Sequence, residues 1–409
     1  MIAEKYPMSA GEKIEITTRA EFRYNLENYC CVFVARFTGV HSNIMFDNPI
    51  SASKCYNLEN AVLNNGRVVS ADSFVLALTN VDYLAYEKFY TWEKVEISTF
   101  YRYKADYLPR EFVDAILTFY ENKTKLKGVE GMESEYIHEK ENVNSCYGMC
   151  VTDILRDLIT FSEQELWVVS EVDREKEIEK YNKNPQRFLF YAWGIFVTSY
   201  ARSNLFSGIL ACGNDYIYAD TDSLKILNYE KHVDYFNRYN ERISERLKDA
   251  CIYHGFDPAR VKPLTVKGKE KPLGVWDDDG NYLVFKTLGA KRYMYLSDDF
   301  NEETKKYDRN LHITVAGSNK KKTAKYLVDT YGKYYAFYMF NNNLCVPRGF
   351  SGRTTSCYID YETSGQITDY NGNVGDFHEL TSVHVEQTED NLSIASAYIK
   401  YFLGIQEED

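Results

Sequence analysis

The chain has 409 residues and is 44% hydrophobic, so it can bury a sizeable core and is not a disordered polymer; its length suggests two or three subdomains. A formal net charge of −12 argues against a uniformly basic nucleic-acid binder, but it allows a local basic cleft on an acidic body. Nine cysteines without a CxxC pair fit a reduced, cytoplasmic setting. Seven scattered histidines without HExxH make a zinc site an unattractive reading, and no signal peptide or membrane-length apolar run is visible. The 36 tyrosines suit interfaces and polar grooves.

In chain order, residues 1–19 read as extended. Between 20 and 109, CVFVARF, RVVSADSFVLALT and KVEISTFYRY alternate as strands, with loop signals at FDNPIS and NNGR. Residues 110–148 predict two helices. The first has Phe112, Ala115, Ile116 and Phe119 at helical spacing, and the second closes at Gly148. Residues 149–190 are charged and read as an insertion. A helix is expected over 190–212, a strand around YIYADTDSLKI, a solvated helix near 229–254, and strands over 273–297 starting at LGVWDDD. From 311 a lysine-rich helix start precedes strands and turns.

The segment 216–226, YIYADTDSLKI, sets Asp220 and Asp222 inside an apolar, β-branched and aromatic stretch. A D-T-D tip is most simply a hairpin turn. Two carboxylates this close also repel unless a cation neutralises them, and a hard divalent ion such as Mg²⁺ does so while leaving room for phosphate oxygens. Upstream, KENVNSCYG places Lys140, Asn144 and Tyr147 on one helical face, where a plain capped helix end is the competing reading. Lys123, Lys125 and Lys127 lie on the helix before it, as solvated charges or as a second grip on an anion.

YADTDS resembles the third palm motif of family B DNA polymerases, and KENVNSCYG resembles their fingers motif, Lys-x-x-x-Asn-Ser-x-Tyr-Gly. TSYAR (198–202) is similar to their Thr-x-x-x-Arg segment and KRY (291–293) to their Lys-x-Tyr motif, all in the family's order. The two extra regions resemble the insertions of protein-primed phage-type members. The resemblance implies an α+β, right-hand architecture: an antiparallel palm sheet, a helical fingers hairpin and a thumb, with two insertions. The expected spans are 1–19 palm start, 20–109 priming-protein-docking insertion, 110–148 fingers, 149–190 processivity-like insertion, 191–310 palm and 311–409 thumb.

It further implies template-directed DNA synthesis with dNTP and primer–template as partners. Asp220 and Asp222 would be catalytic and bind two Mg²⁺ ions. Lys123 and Lys140 would hold the triphosphate, and Asn144 and Tyr147 would shape the nucleotide pocket. Thr198, Arg202, Lys291 and Tyr293 would hold primer–template, with Lys320, Lys321, Lys322 and Lys325 near DNA phosphates. The first palm motif, Asp-x-x-Ser-Leu-Tyr-Pro, is not found; Tyr6-Pro7 has Met1 where the Asp belongs. An exonuclease domain is not found either. The expectation is therefore a chain that extends primers poorly alone. It would be part of a split polymerase whose partner chain carries the exonuclease and first motif, or a shortened piece, or a relative that only binds DNA. A terminal priming protein is a further implied partner, and for a virus the setting is the host cytoplasm.

Overall fold

The structure, a computed structural model, describes residues 1–385 apart from 45–46, 65, 156, 163–165, 302–303, 342–343, 352–363, 369–373 and 379–381. The expected thumb thus lies partly outside the described residues. The first third runs β1 (Tyr6–Pro7), β2 (Glu12–Ile14), α1 (Arg19–Asn28), β3 (Cys30–Ser42), β4 (Tyr56–Glu59), β5 (Val62–Asn64), β6 (Arg67–Thr79), α2 (Asn80–Tyr86), β7 (Tyr90–Thr91), β8 (Lys94–Tyr103) and β9 (Ala105–Asp106). The middle comprises α3 (Arg110–Leu126), α4 (Glu133–Gly148), β10 (Leu158–Ser162), β11 (Leu166–Ser170), α5 (Arg174–Lys183), α6 (Tyr191–Cys212), β12 (Tyr216–Asp220), β13 (Ser223–Ile226) and α7 (Val233–His254). The remainder is β14 (Val284–Gly289), β15 (Arg292–Asn301), β16 (Lys306–Val315), α8 (Lys320–Tyr331), α9 (Tyr335–Met339), β17 (Leu344–Pro347), α10 (Arg348–Ser351), β18 (Ser364–Thr368), β19 (Val374–His378) and β20 (Ser382–Val385).

The described residues form two compact units, 1–153 with 184–277, and 154–183 with the described part of 278–385. The first is built on an antiparallel sheet in the order β2-β8-β3-β6-β4, with β5 on β6 and β7 on β3. Alternation along β3 and β6 sends Phe33, Ala35, Phe37, Phe74, Leu76 and Leu78 into one core. That core also takes Phe206, Ile209 and Cys212 from α6, so residues 20–109 share their interior with the expected palm.

A second core is lined by α3, the end of α4, the start of α6, α7 and Ile2 and Tyr6. Because α6 feeds Trp193 and Phe196 into the second core and Phe206 and Ile209 into the first, it is apolar on nearly all sides, as a buried helix must be. It also anchors the chain's first residues: Trp193 Nε1 donates to the Pro7 carbonyl at 2.9 Å and Tyr200 Oη to the Lys5 carbonyl at 2.7 Å.

The second unit has a three-stranded antiparallel sheet, β14-β15-β16. Its apolar face (Met294, Leu296, Leu311, Ile313) packs with Leu327 of α8 and with Phe340. The boundary expected at 310 falls inside β16, and the span 191–310 falls in both units.

The strand expected at LGVWDDD is absent; regular pairing begins at Val284. Gly274 turns the backbone at φ +71°, and Asn240 of α7 takes both backbone groups of Trp276. Its Nδ2 donates to the carbonyl at 2.8 Å and its Oδ1 accepts from the N–H at 2.7 Å. A side chain thus replaces the ladder that a strand would need. Among the described residues no helix is long and apolar enough to cross a membrane.

Candidate functional site

Asp220 ends β12 and pairs with Ser223, which begins β13, so Thr221 and Asp222 form the hairpin tip. The Asp222 N–H donates to the Asp220 carbonyl at 2.6 Å, closing the turn around Thr221 at φ +57°. That left-handed conformation strains a β-branched residue. Thr221 Oγ1 donates to Asp220 Oδ1 at 3.0 Å and Ser223 Oγ to the Asp220 carbonyl at 3.2 Å. Asp222 is exposed and Asp220 half-buried. The apolar flanks sink the hairpin stem, with Tyr216 and Tyr218 buried, and leave the acids at the rim.

Glycines on α6 seat the site's two parts. A Cβ on Gly208 would lie 2.6 Å from Leu224 Cδ1, so the missing side chain lets β13 meet the helix. A Cβ on Gly194 would lie 2.1 Å from Val151 Cγ1, which admits the turn that follows α4. The two seats are fourteen residues apart, about 21 Å along the axis.

The helical hairpin of α3 and α4 is as expected. Asn122 Nδ2 donates to Glu139 Oε1 at 3.4 Å across it. Lys140 and Asn144 are exposed and Tyr147 half-buried, on one face of α4, while Cys146 turns into the core. Lys123, in the last turn of α3, lies 5.4 Å from the Tyr120 ring centroid. Burial, and then the charges of Lys140, Lys127 and Lys271, push its ammonium below the usual lysine range. Among the described residues neither Lys123 nor Lys140 forms an ion pair with a carboxylate. The fold therefore gathers Lys123 with Lys140 and adds Lys271, which no motif marked.

Thr198 and Arg202 sit on α6 between the two glycines. Thr198 Oγ1 donates back to the Ile195 carbonyl at 2.8 Å. Arg202, expected to meet a DNA phosphate, donates to the buried Asp82 of α2, with Nε at 3.1 Å and Nη2 at 2.9 Å from Oδ1, while its side chain stays 41% exposed. Sequence reasoning passed over Asp82; its place as third residue after Thr79, a helix-capping pattern, was the available signal.

Lys291 and Tyr293 belong to the second unit. Lys291 occupies the β14–β15 turn at φ +55°. Tyr293 stacks on Phe285, with centroids 5.6 Å apart, on the sheet face opposite the core. Tyr293, Tyr295 and His312 line a concavity of about 460 Å³ together with Lys320, Lys321 and Lys325. The aromatic neighbours of Tyr293 follow from cross-strand register, which sequence alone does not fix.

Carboxylates at a rim suit Mg²⁺ in kind. Mg²⁺ is commonly held by one or two carboxylates together with water and phosphate oxygens; among the described residues no group of three or more His, Cys, Asp or Glu side chains could hold a metal ion.

No protein-family model matches the chain, and no curated protein matches it significantly. Solved structures do. Phi29 DNA polymerase complexed with primer–template DNA and incoming nucleotide has a TM-score of 0.54 at 17% identity, covering 93% of this chain and 55% of that one. Its complex with primer–template DNA scores 0.55 at 15% identity, covering 94% and 55%. The orthorhombic form scores 0.53 at 16% identity. The chain thus has a fold like that of Phi29 DNA polymerase and spans little more than half that protein's length.

Proposed function

We propose that the chain is the nucleotide- and DNA-holding part of a template-directed DNA polymerase of the family B, protein-primed phage type. The reaction is attack of a primer 3′-hydroxyl on the α-phosphate of a dNTP, with pyrophosphate leaving. Lys123 and Lys140 neutralise the triphosphate, and Asn144 and Tyr147 offer an amide and a ring to the nucleotide. Lys291 and Tyr293 meet the primer strand. Thr198 and Arg202 act through α6, Arg202 by fixing it to Asp82. Asp220 and Asp222 would hold Mg²⁺, which when bound supplies charge neutralisation at the phosphate oxygens. The observation that carries this reading is the common seat on α6 of an aspartate-tipped hairpin and a lysine-bearing helical hairpin.

A second reading, which rests on Asp220 and Asp222 being the only two acids at the hairpin tip, is a polymerase-derived subunit that binds DNA without synthesis. Primer extension decides between them. The chain is assayed alone, with a second chain ending in an Asp-x-x-Ser-x-Tyr-Pro segment, and with Asp222→Asn in that mixture. Synthesis confined to the mixture and lost in the variant supports the polymerase. Tight DNA binding without synthesis in every mixture supports the subunit.

A further inference from the structure

Tyr120 of α3 joins two lysines from distant parts of the chain. Lys123 Nζ stands 5.4 Å from its ring centroid. Its hydroxyl donates to the Lys271 carbonyl at 3.1 Å and approaches that of Pro272 at 3.4 Å. The segment leading to Lys271 is fastened to the same helix. Arg260 donates to Asp114 at 2.6 Å, to Glu121 at 2.8 Å and to Thr118 at 3.0 Å, so it grips α3 along two successive turns. Residues 261–273 thus fold back as a hairpin, the Leu273 N–H donating to the Val261 carbonyl at 2.8 Å and the Lys271 N–H to the Pro263 carbonyl at 2.9 Å, so Lys271 returns to the base that Arg260 and Tyr120 hold on α3, near Lys123.

The Lys271 ammonium is half-exposed and pairs with Asp277, six residues on. Ammonium groups gathered this way repel one another unless an anion lies among them. A chain of phosphates is the anion whose charge and length suit several lysines on separate elements. Asp277 then serves as a counter-ion on one of them while that place is empty.

We propose that Lys271 is a third phosphate-binding residue beside Lys123 and Lys140, held in place by Tyr120 and Arg260 and neutralised by Asp277 until a polyphosphate takes its ammonium. This rests on the reading of Lys123 and Lys140 as a triphosphate site.

The test is calorimetric titration of the full chain with inorganic tripolyphosphate at low salt, with thermal unfolding of each variant as a folding control. Lys271→Ala weakens binding about three- to tenfold, Lys271→Arg restores most of it, and Asp277→Asn tightens it about twofold by removing the competing carboxylate. Lys248→Ala, an exposed lysine of α7, reports the effect of net charge alone. Loss of binding in Lys123→Ala and Lys140→Ala, with Lys271→Ala and Asp277→Asn both like wild type, overturns the role of Lys271 and leaves the two-lysine site standing. A wild-type chain that binds no tripolyphosphate at concentrations on the order of 1 mM sinks both.

Discussion

Arg202 donates to both carboxylate oxygens of Asp82, at 2.9 Å and 3.1 Å from Nη2, and thereby ties α6 to α2. Asp82 is buried and also accepts from Ser199 Oγ at 2.7 Å and Thr79 Oγ1 at 2.9 Å. The Ser199 and Arg202 bonds hold α6, on which both parts of the candidate site are seated, and the Thr79 bond caps α2.

Removing the carboxylate strands several donors and breaks the cap of α2. Asp82→Ala should lower the free energy of unfolding by about 2–4 kcal/mol in urea titrations. Arg202→Ala, at a side chain 41% exposed, should cost about 1–2 kcal/mol. Arg202→Ala should also leave the salt dependence of DNA binding unchanged, whereas loss of a phosphate contact would reduce the slope by about 0.9.

The turn at Thr221 stores strain where the acids are presented. Thr221→Gly removes the penalty of a β-branched residue at positive φ, partly offset by the freedom glycine gains in the unfolded chain. Unfolding stability should rise by about 0.5–1 kcal/mol. Extension by the reconstituted mixture should fall, because the Thr221 bond that orients Asp220 is gone.

Gly194 and Gly208 test the seating of the two parts. Alanine in mid-helix is favoured over glycine by about 1 kcal/mol, so a gain is expected if no contact intervenes. Gly194→Ala meets the short, branched Val151 and should instead destabilise, by about 1–3 kcal/mol. Gly208→Ala meets the end of the more flexible Leu224 and should cost less. Gly208→Val should displace the aspartate hairpin and reduce synthesis in the mixture well beyond its effect on stability.

Lys123 gives the site a pH signature. Its ammonium is destabilised by burial and by neighbouring lysines, so it loses its proton below the ordinary lysine pKa. An anion favours the charged form and raises that pKa. Tripolyphosphate affinity should therefore fall as pH rises through the lowered pKa of Lys123. Binding in that window should take up protons, seen as a buffer-dependent heat. In Lys123→Ala the uptake in that window should vanish.

Much of the site was legible in the sequence because local spacing carries it. Lys140, Asn144 and Tyr147 needed only a continuous helix over 133–148 to share a face, and Asp220 and Asp222 needed only a two-residue turn between paired strands. The strands around Phe33, Phe74 and Phe100 were likewise written in period-two alternation. These features depend on interactions among near neighbours in the chain.

Tertiary structure decided the rest, because long-range partners leave no periodic trace. The LGVWDDD segment has the composition of a strand, yet Asn240 claims the Trp276 backbone and no ladder forms. Nothing in the sequence near Arg202 announces its partner Asp82, 120 residues away. Lys271 belonged to no motif until Tyr120 and Arg260 drew its segment onto α3. Sequence determined which residues present acid, amide and ammonium groups on each element. Packing on α6 and along α3 determined which of those groups meet, since that depends on burial and close approach between segments far apart in the chain.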